Sequence, residues 1–226
     1  MEFNDETPTI ISANEPHMAC LFLLDTSSSM SGDAINSLNE GINRFKEDVC
    51  KDERTKNILD VAIVEFNSTV KLVQPWKPVE QMEFVNLTAG GGTDMEGGLR
   101  LAIDMVRERS HFYYEFTGTT PYKPWIVMIT DGYPNSAIDE IAAEIADLDE
   151  KGKLHLWSLA VEGANRSMLN KLCGGKRSLV LKGKDFTEFF DWMTKSMRSV
   201  SQSSPGEKPK GVLLPENVDK NTDGWM

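Results

Sequence analysis

Cysteine is scarce in this chain of 226 residues, which contains only Cys20, Cys50 and Cys173. The three form no CxxC pair, and an odd count does not suit a framework of disulfides. We therefore expect reduced thiols in a cytosol-like compartment, packed as small buried hydrophobic side chains.

An export signal and a membrane-length apolar run are also missing. The first 17 residues, MEFNDETPTIISANEPH, are acidic and have neither the basic region nor the apolar core of a signal peptide. No apolar run approaches the roughly 20 residues that a membrane helix needs. We expect a cytoplasmic protein without a membrane partner, and we interpret the sequons at Asn67, Asn86 and Asn165 as chance matches.

Positive charge is in short supply. The chain has 24 Lys and Arg residues against 35 Asp and Glu residues, which gives a formal net charge of −11. Nucleic acids and anionic membranes are bound by neutralising phosphates, which requires a basic surface. We therefore expect no nucleic-acid partner.

Apolar runs and amphipathic stripes alternate along the sequence. Apolar runs at 18–24 and 125–130 predict strands that are buried on both faces, 154–161 predicts a further strand, and 178–181 predicts a short one. Between them, apolar residues recur at helical spacing around 35–49, 95–106, 138–148 and 186–200, with Ser136 as a possible cap and Gly152 as a stop. The pattern predicts an α/β fold with three layers, helices covering both faces of a mostly parallel sheet.

Two further segments complete the expected organisation. The runs 59–67 and 70–76 predict a hairpin, which would add one antiparallel edge strand. After about Ser201 the chain has few apolar residues and no periodicity, so composition predicts a linker or flexible tail. The expected divisions are an N-terminal extension (1–16), one domain (17–201) and a C-terminal tail (202–226).

Oxygen-bearing side chains follow three of the predicted elements. Asp25, Ser27 and Ser29 follow the first strand, Thr93 and Asp94 end the glycine-rich stretch TAGGGTD before a helix, and Asp131 follows WIVMIT. In an open parallel sheet, ligands gather outside the carboxyl ends of the strands. Oxygen ligands without histidine or thiolate suit a hard cation, Mg²⁺ first and Mn²⁺ or Ca²⁺ as alternatives, and disfavour Zn²⁺.

The spacing of these residues has a physical reason. Alternate residues of an extended segment share a side, so Asp25, Ser27 and Ser29 can converge while Thr26 and Ser28 turn away. Each piece alone is also compatible with an ordinary helix cap or turn. All three at strand ends of one alternating chain favour the metal site.

These residues resemble the metal-ion-dependent adhesion site (MIDAS) of von Willebrand factor A (vWA) domains, D-x-S-x-S with a distal Thr and a distal Asp. The pattern is filled in order by Asp25, Ser27, Ser29, Thr93 and Asp131. The resemblance implies a Rossmann-like α/β/α sandwich. It also implies a divalent cation whose coordination is completed by a Glu or Asp from a partner protein.

A narrower resemblance, to short bacterial vWA proteins of the tellurite-resistance type, covers nearly the whole chain. It lies in PWIVMITDG (124–132), in SQSSPG (201–206) and in Leu214-Pro215 with Gly224-Trp225 near the end. It implies a role in a stress or toxic-anion resistance assembly with kinase-like or phosphatase-like partners. It also implies that Trp225 docks on the domain.

We expect no enzymatic activity, with two alternatives left open. Asp25 resembles the nucleophile of Mg²⁺-dependent aspartyl phosphotransferases, but Ser27 stands where those enzymes need a second acid. The sequence has no GxSxG or GxxxxGK[ST] motif, and His17, His111 and His155 suggest no catalytic triad. The other alternative is an exported vWA adhesin, which the sequons favour and the cysteines oppose.

The segment HFYYEFTGTTPYKPW (111–125) concentrates aromatic residues in what reads as a long loop. Exposed tyrosines are typical of interfaces, whereas packing of a helix end on its own sheet would explain the same residues. The sequence slightly favours the packing interpretation.

Overall fold

Short apolar strands alternate with amphipathic helices in the computed structural model, which describes residues 14–133 and 138–222. The strands are β1 (Met18–Asp25), β2 (Leu59–Phe66), β3 (Val70–Pro78), β4 (Trp125–Thr130), β5 (His155–Ala160), β6 (Ser178–Leu181) and β7 (Val218–Lys220). The helices are α1 (Asp33–Val49), α2 (Glu53–Ile58), α3 (Met95–Thr117), α4 (Asp139–Glu150), α5 (Arg166–Leu172) and α6 (Thr187–Ser201).

The strands form one sheet in the order β3-β2-β1-β4-β5-β6-β7. The five inner strands, β2, β1, β4, β5 and β6, run parallel to one another. Strand β3 pairs antiparallel with β2 and forms one edge of the sheet. Every residue of β1 and of β4 is buried, which explains why both read as continuous apolar runs. The predicted α/β sandwich with an antiparallel edge strand is confirmed.

The opposite edge holds a strand that the sequence did not predict. Strand β7 pairs antiparallel with β6, with Val218 opposite Leu181. Upstream of it the chain lies on α6, where the indole N–H of Trp192 donates to the carbonyl of Val212 over 3.3 Å. For residues 202–222 the compositional expectation of a flexible tail is therefore wrong, because backbone pairing needs little apolar sequence. Trp225 lies outside the described residues, and its docking stays a prediction.

Two hydrophobic cores fill the space between the sheet and its helix layers. One lies under α1, α2 and α6, the other under α3, α4 and α5, and together they contain all four predicted amphipathic stripes. In the first core a β-carbon on Gly41 would overlap the Phe190 ring, so glycine lets α1 and α6 approach closely. Among the described residues, no helix has the length and apolar character needed to cross a membrane.

Two helix ends bear on the sequence predictions. Gly152 follows α4 with φ 67° and ends it as predicted, whereas the predicted cap Ser136 lies outside the described residues. Helix α3 continues to Thr117, so the first half of the aromatic segment is helix and the expectation of a long loop is wrong there. Tyr113, Tyr122 and Trp125 are buried, as the packing interpretation predicts.

The parallel strands give the sheet two distinct ends. We call the end where β1, β2, β4 and β5 finish the carboxyl edge, and the end where they begin the amino edge. Asp25 and Thr130 are the last residues of neighbouring strands, so the polar residues that follow them share the carboxyl edge.

Candidate metal site

Asp25 closes β1 at the carboxyl edge and is fully buried. Its Oδ1 accepts a hydrogen bond from the backbone N–H of Ser27 over 2.8 Å, and the N–H of Thr26 donates to the carbonyl of Phe66 over 2.9 Å. A short 3₁₀ turn at Ser28–Met30 then reverses the chain before α1. The strand thus ends on a carboxylate that its own following loop fixes in orientation.

The two predicted serines meet each other and the distal aspartate. The Oγ atoms of Ser27 and Ser29 are 3.0 Å apart, and the Ser29 hydroxyl donates to Oδ1 of Asp131 over 2.6 Å. Ser27 and Asp131 are buried and Ser29 is exposed, so the group opens to solvent on one side. The structure therefore brings together residues that are about a hundred positions apart in sequence.

The glycine-rich loop carries Thr93 to the same place. Gly90 donates its N–H to the carbonyl of Thr26 over 2.8 Å, and Gly91 takes a left-handed conformation with φ 82°. The Oγ1 of Thr93 and the Oδ2 of Asp25 both lie within 3.3 Å of the point where a β-carbon on Gly132 would stand. All five predicted residues therefore lie together, and we call Asp25, Ser27, Ser29, Thr93 and Asp131 the oxygen cluster.

Several contributors were not identified from the sequence. The Thr130 hydroxyl donates to Oδ2 of Asp25 over 2.5 Å, and Gly132 leaves room for that oxygen and for Thr93. Ser28 turns away from the cluster as expected, but its hydroxyl and its N–H both donate to the Gly91 carbonyl and hold the loop. Asp94, which the sequence already placed at this edge beside Thr93, caps α3 by accepting from the N–H of Gly97. The ITDG sequence contained Thr130 and Gly132, but a strand-end threonine alone gives no distinct signal.

The electrostatics of the oxygen cluster favour an added positive charge. Burial raises the pKa of Asp25, hydrogen bonds from Thr130 and Ser27 oppose that effect, and the nearby charge of Asp131 adds to it. Within 14–133 and 138–222, neither carboxylate forms an ion pair with a basic side chain. Two carboxylates and three hydroxyls without a counterion fit a hard divalent cation.

A metal site built from His, Cys, Asp and Glu side chains and a catalytic histidine receive less support at this edge. The described part of the chain has no group of three or more His, Cys, Asp and Glu side chains that could hold a metal ion. His17 precedes β1 and His155 begins β5, so both lie at the amino edge, and His111 is exposed on α3. Nδ1 of His155 lies 2.8 Å from Asp149, as expected for a structural strand residue.

Comparison with known proteins gives a family model and several similar structures. The model of the von Willebrand factor type A domain matches residues 20–134, about half of the chain, whereas no curated protein matches. The pilus adhesin SpaC of Lactobacillus rhamnosus GG superposes with a TM-score of 0.67 at 13% identity, over 85% of this chain and 31% of SpaC.

Two more solved structures extend the comparison. The vWF domain of the type V pili tip protein Mfa5 of Porphyromonas gingivalis has a TM-score of 0.59 at 10% identity, covering 85% of this chain and 98% of that domain. The ArnB paralog VWA2 of Sulfolobus acidocaldarius has a TM-score of 0.55 at 13% identity, covering 80% of this chain and 45% of its own. The chain spans about a third of SpaC and under half of VWA2, and at these identities the likeness is one of fold.

Proposed function

Because this chain belongs to the von Willebrand factor type A domain family, a family of protein-interaction modules, we propose that it binds a partner protein through a divalent cation held by the oxygen cluster. Mg²⁺ is the proposed ion, with Mn²⁺ and Ca²⁺ as alternatives. The observation that carries the proposal is the convergence of Asp25, Ser27, Ser29, Thr93 and Asp131 at one edge, where no basic side chain of the described residues pairs with the two carboxylates.

The donor set also indicates what a bound ion would do. Ser27, Ser29 and Thr93 supply neutral oxygens, so a divalent ion keeps much of its charge. Ser29 lies on the exposed side of the cluster, where a Glu or Asp of a partner can complete the coordination. Tyr133, two residues after Asp131, is 62% exposed, and we propose it as an aromatic contact for the partner.

A non-enzymatic role agrees best with the surroundings of Asp25. One of its oxygens accepts from the Ser27 N–H and the other from the Thr130 hydroxyl. A fully buried carboxylate held on both oxygens is well placed to contact an ion through water and poorly placed to attack a phosphoryl group. This geometry favours binding over the phosphotransfer alternative.

For the cellular role, we propose a cytoplasmic stress-response or toxic-anion resistance assembly with kinase-like or phosphatase-like partners. The resemblance of 124–132 and of the closing segment to tellurite-resistance-type vWA proteins supports it. The pilus proteins among the similar structures share the fold at 10–13% identity and do not favour the adhesin alternative. The thiols of Cys20 and Cys173 are free and buried, in keeping with a reducing compartment.

Calorimetric titration with Mg²⁺ and Mn²⁺ tests the metal site. We expect Thr93→Ala and Asp25→Ala to weaken binding by at least about tenfold, because each removes an oxygen of the cluster. Ser31→Ala is the matched control, since the exposed Ser31 hydroxyl donates to the Ser28 carbonyl of its own turn. Circular dichroism of each variant checks the fold, and an unmutated protein that binds neither of these ions nor Ca²⁺ would refute the proposal.

A pull-down with the same protein as bait tests whether a partner binds through the metal ion. Bait protein in Mg²⁺ should retain a partner that EDTA releases and that Asp131→Ala fails to capture. A complex that is indifferent to both EDTA and Asp131→Ala would show that the carboxyl edge is not the interface.

A further inference from the structure

A groove lies at the amino edge, on the side of the sheet covered by α3 and α4, far from the oxygen cluster. It runs between the second half of α3, the 121–124 segment before β4 and the turn from α4 into β5. Its volume is about 570 Å³. The groove holds Tyr114, one of the aromatic residues of the 111–125 segment that the proposed function leaves without a role.

The floor of the groove is apolar. Its apolar lining consists of the buried Ile103, Val106 and Leu154 and the half-buried Leu148. Tyr114 stands at the lip and is 54% exposed. An aliphatic floor with an exposed tyrosine at its rim is the usual anchoring site for an apolar side chain of a partner.

The turn after α4 fixes the basic side of the groove. The N–H of Gly152 donates to the Asp149 carbonyl over 3.0 Å and that of Lys153 to the Leu148 carbonyl over 2.8 Å, which is a Schellman motif. Nζ of Lys123 lies 3.1 Å from the point where a β-carbon on Gly152 would stand. Two lysines from different segments therefore flank one rigid glycine turn.

The charge of the groove is opposite to that of the molecule. Arg107, Lys123, Lys151 and Lys153 line it against one acid, Asp147, although the chain carries −11 overall. Arg107 forms ion pairs with Asp104 and Glu144, and Lys151 forms one with Asp147. These acids are exposed, and ion pairs between exposed side chains are weak. Lys123 and Lys153 form no ion pair within the part of the chain that the structure describes.

From this complementarity we propose that the groove binds an acidic peptide segment of a second protein, with an aromatic or branched apolar side chain on the floor and flanking carboxylates on Lys123 and Lys153. The rest of the molecule carries net negative charge and repels acidic peptides. The basic lining of the groove therefore makes it a favourable place for an acidic peptide to bind. It lies at the amino edge, so it binds without the metal ion and leaves the carboxyl edge accessible.

Fluorescence polarisation tests the proposal on the full chain. The probe is a labelled synthetic peptide with one tryptophan between glutamates, and its two controls replace the glutamates by lysines or the tryptophan by serine. We expect Lys123→Glu and Lys153→Glu each to weaken binding of the acidic probe by about three- to tenfold, and Tyr114→Ser by about tenfold. Both control peptides should bind more weakly than the probe.

The matched control variant is Lys195→Glu, which reverses an exposed lysine on α6 in the other helix layer. It should bind the probe as the unmutated protein does, and EDTA should leave binding unchanged. Equal binding by all variants, release by EDTA, or no binding of the acidic probe would overturn the proposal. Competition by an oligonucleotide as strong as that by the unlabelled probe would identify a general polyanion site and would overturn it too.

Discussion

The buried charge of Asp60 shows how one residue organises the amino edge. Its Oδ2 accepts from the guanidinium of Arg109 over 2.8 Å and from the Tyr113 hydroxyl, and Nδ1 of His17 lies 3.6 Å away. Burial acts to raise the pKa of Asp60, but the contacts with His17, Arg109 and Tyr113 outweigh it and hold that pKa below its usual value. The carboxylate is therefore ionised and compensates a buried arginine.

We expect Asp60→Asn to lower the free energy of unfolding by about 3–5 kcal/mol, because it leaves the Arg109 guanidinium buried without its counterion. Asp104→Asn is the matched control, since Asp104 pairs with Arg107 on the exposed face of α3. That change should cost less than about 1 kcal/mol. Urea unfolding measures both, and equal losses would contradict the assigned role of Asp60.

At the residue scale, the sequence identified the oxygen cluster because its members differ from what strand ends usually need. A carboxylate after an apolar run and hydroxyls at alternate positions are unusual enough to select Asp25, Ser27 and Ser29. Thr130 and Ser28 could not be selected, because their roles come from contacts with residues far away in the chain, Asp25 and Gly91. A strand threonine and a turn serine look ordinary until the fold places them.

At the scale of elements, α1 holds an extended segment in place through two asparagines. The Asn39 side chain donates to the carbonyl of Leu87 over 2.9 Å and accepts from its N–H over 2.8 Å. Asn43 does the same with Val85, at 3.0 and 2.9 Å. The two side chains thus satisfy the backbone groups of 85–87 as a neighbouring β-strand would. The segment 85–87 leads directly into the loop that presents Thr93.

We expect Asn39→Ala and Asn43→Ala each to destabilise the fold by about 1–3 kcal/mol, because each removes two hydrogen bonds to a partly buried backbone segment. Asn39→Ala should also weaken Mg²⁺ binding, since it frees the chain nearer to Thr93. Asn36→Ala, at an exposed position of the same helix, is the control. Thermal unfolding and calorimetry check the two effects, and variants that match the control in both would contradict this role.

Helices and strands were predicted correctly where they are long enough for the periodicity of their apolar residues to be recognised. The four long helices and the strands β1 to β6 carry clear apolar patterns, whereas α2 and α5 have six and seven residues and β7 has three. Two turns of helix or three residues of strand are too short for a period to be read. Their positions are set by the neighbours they pack against, so only the folded chain reveals them.

At the scale of the whole molecule, the pH dependence of stability reflects a histidine that is kept uncharged. Burial first and the charge of Arg177 second lower the pKa of His155, although Asp149 acts in the opposite direction. As pH falls, the unfolded chain therefore takes up this proton before the folded chain does. The contribution of His155 to stability is complete above about pH 6.5 and is lost as pH falls toward its lower folded-state pKa.

We expect His155→Gln to flatten the decline in the free energy of unfolding between about pH 7.5 and about pH 5.5, because the substituted side chain does not take up the proton. Urea unfolding at several pH values measures the slopes. A His155→Gln slope equal to that of the unmutated protein would contradict the assignment.

The two outermost strands of the sheet, β3 and β7, have a consequence for association between copies of the chain. At one end of the sheet, Pro75 and Pro78 remove hydrogen-bond donors from β3, and Lys71 and Lys77 add charge to it. At the other end, β7 is three residues long and two of them are exposed and charged. Strand β3 is nine residues long, but its prolines and the register shifts of its pairing with β2 interrupt it as a template, and β7 is too short to serve as one. We therefore expect both edges to disfavour the addition of strands from a second copy of the chain.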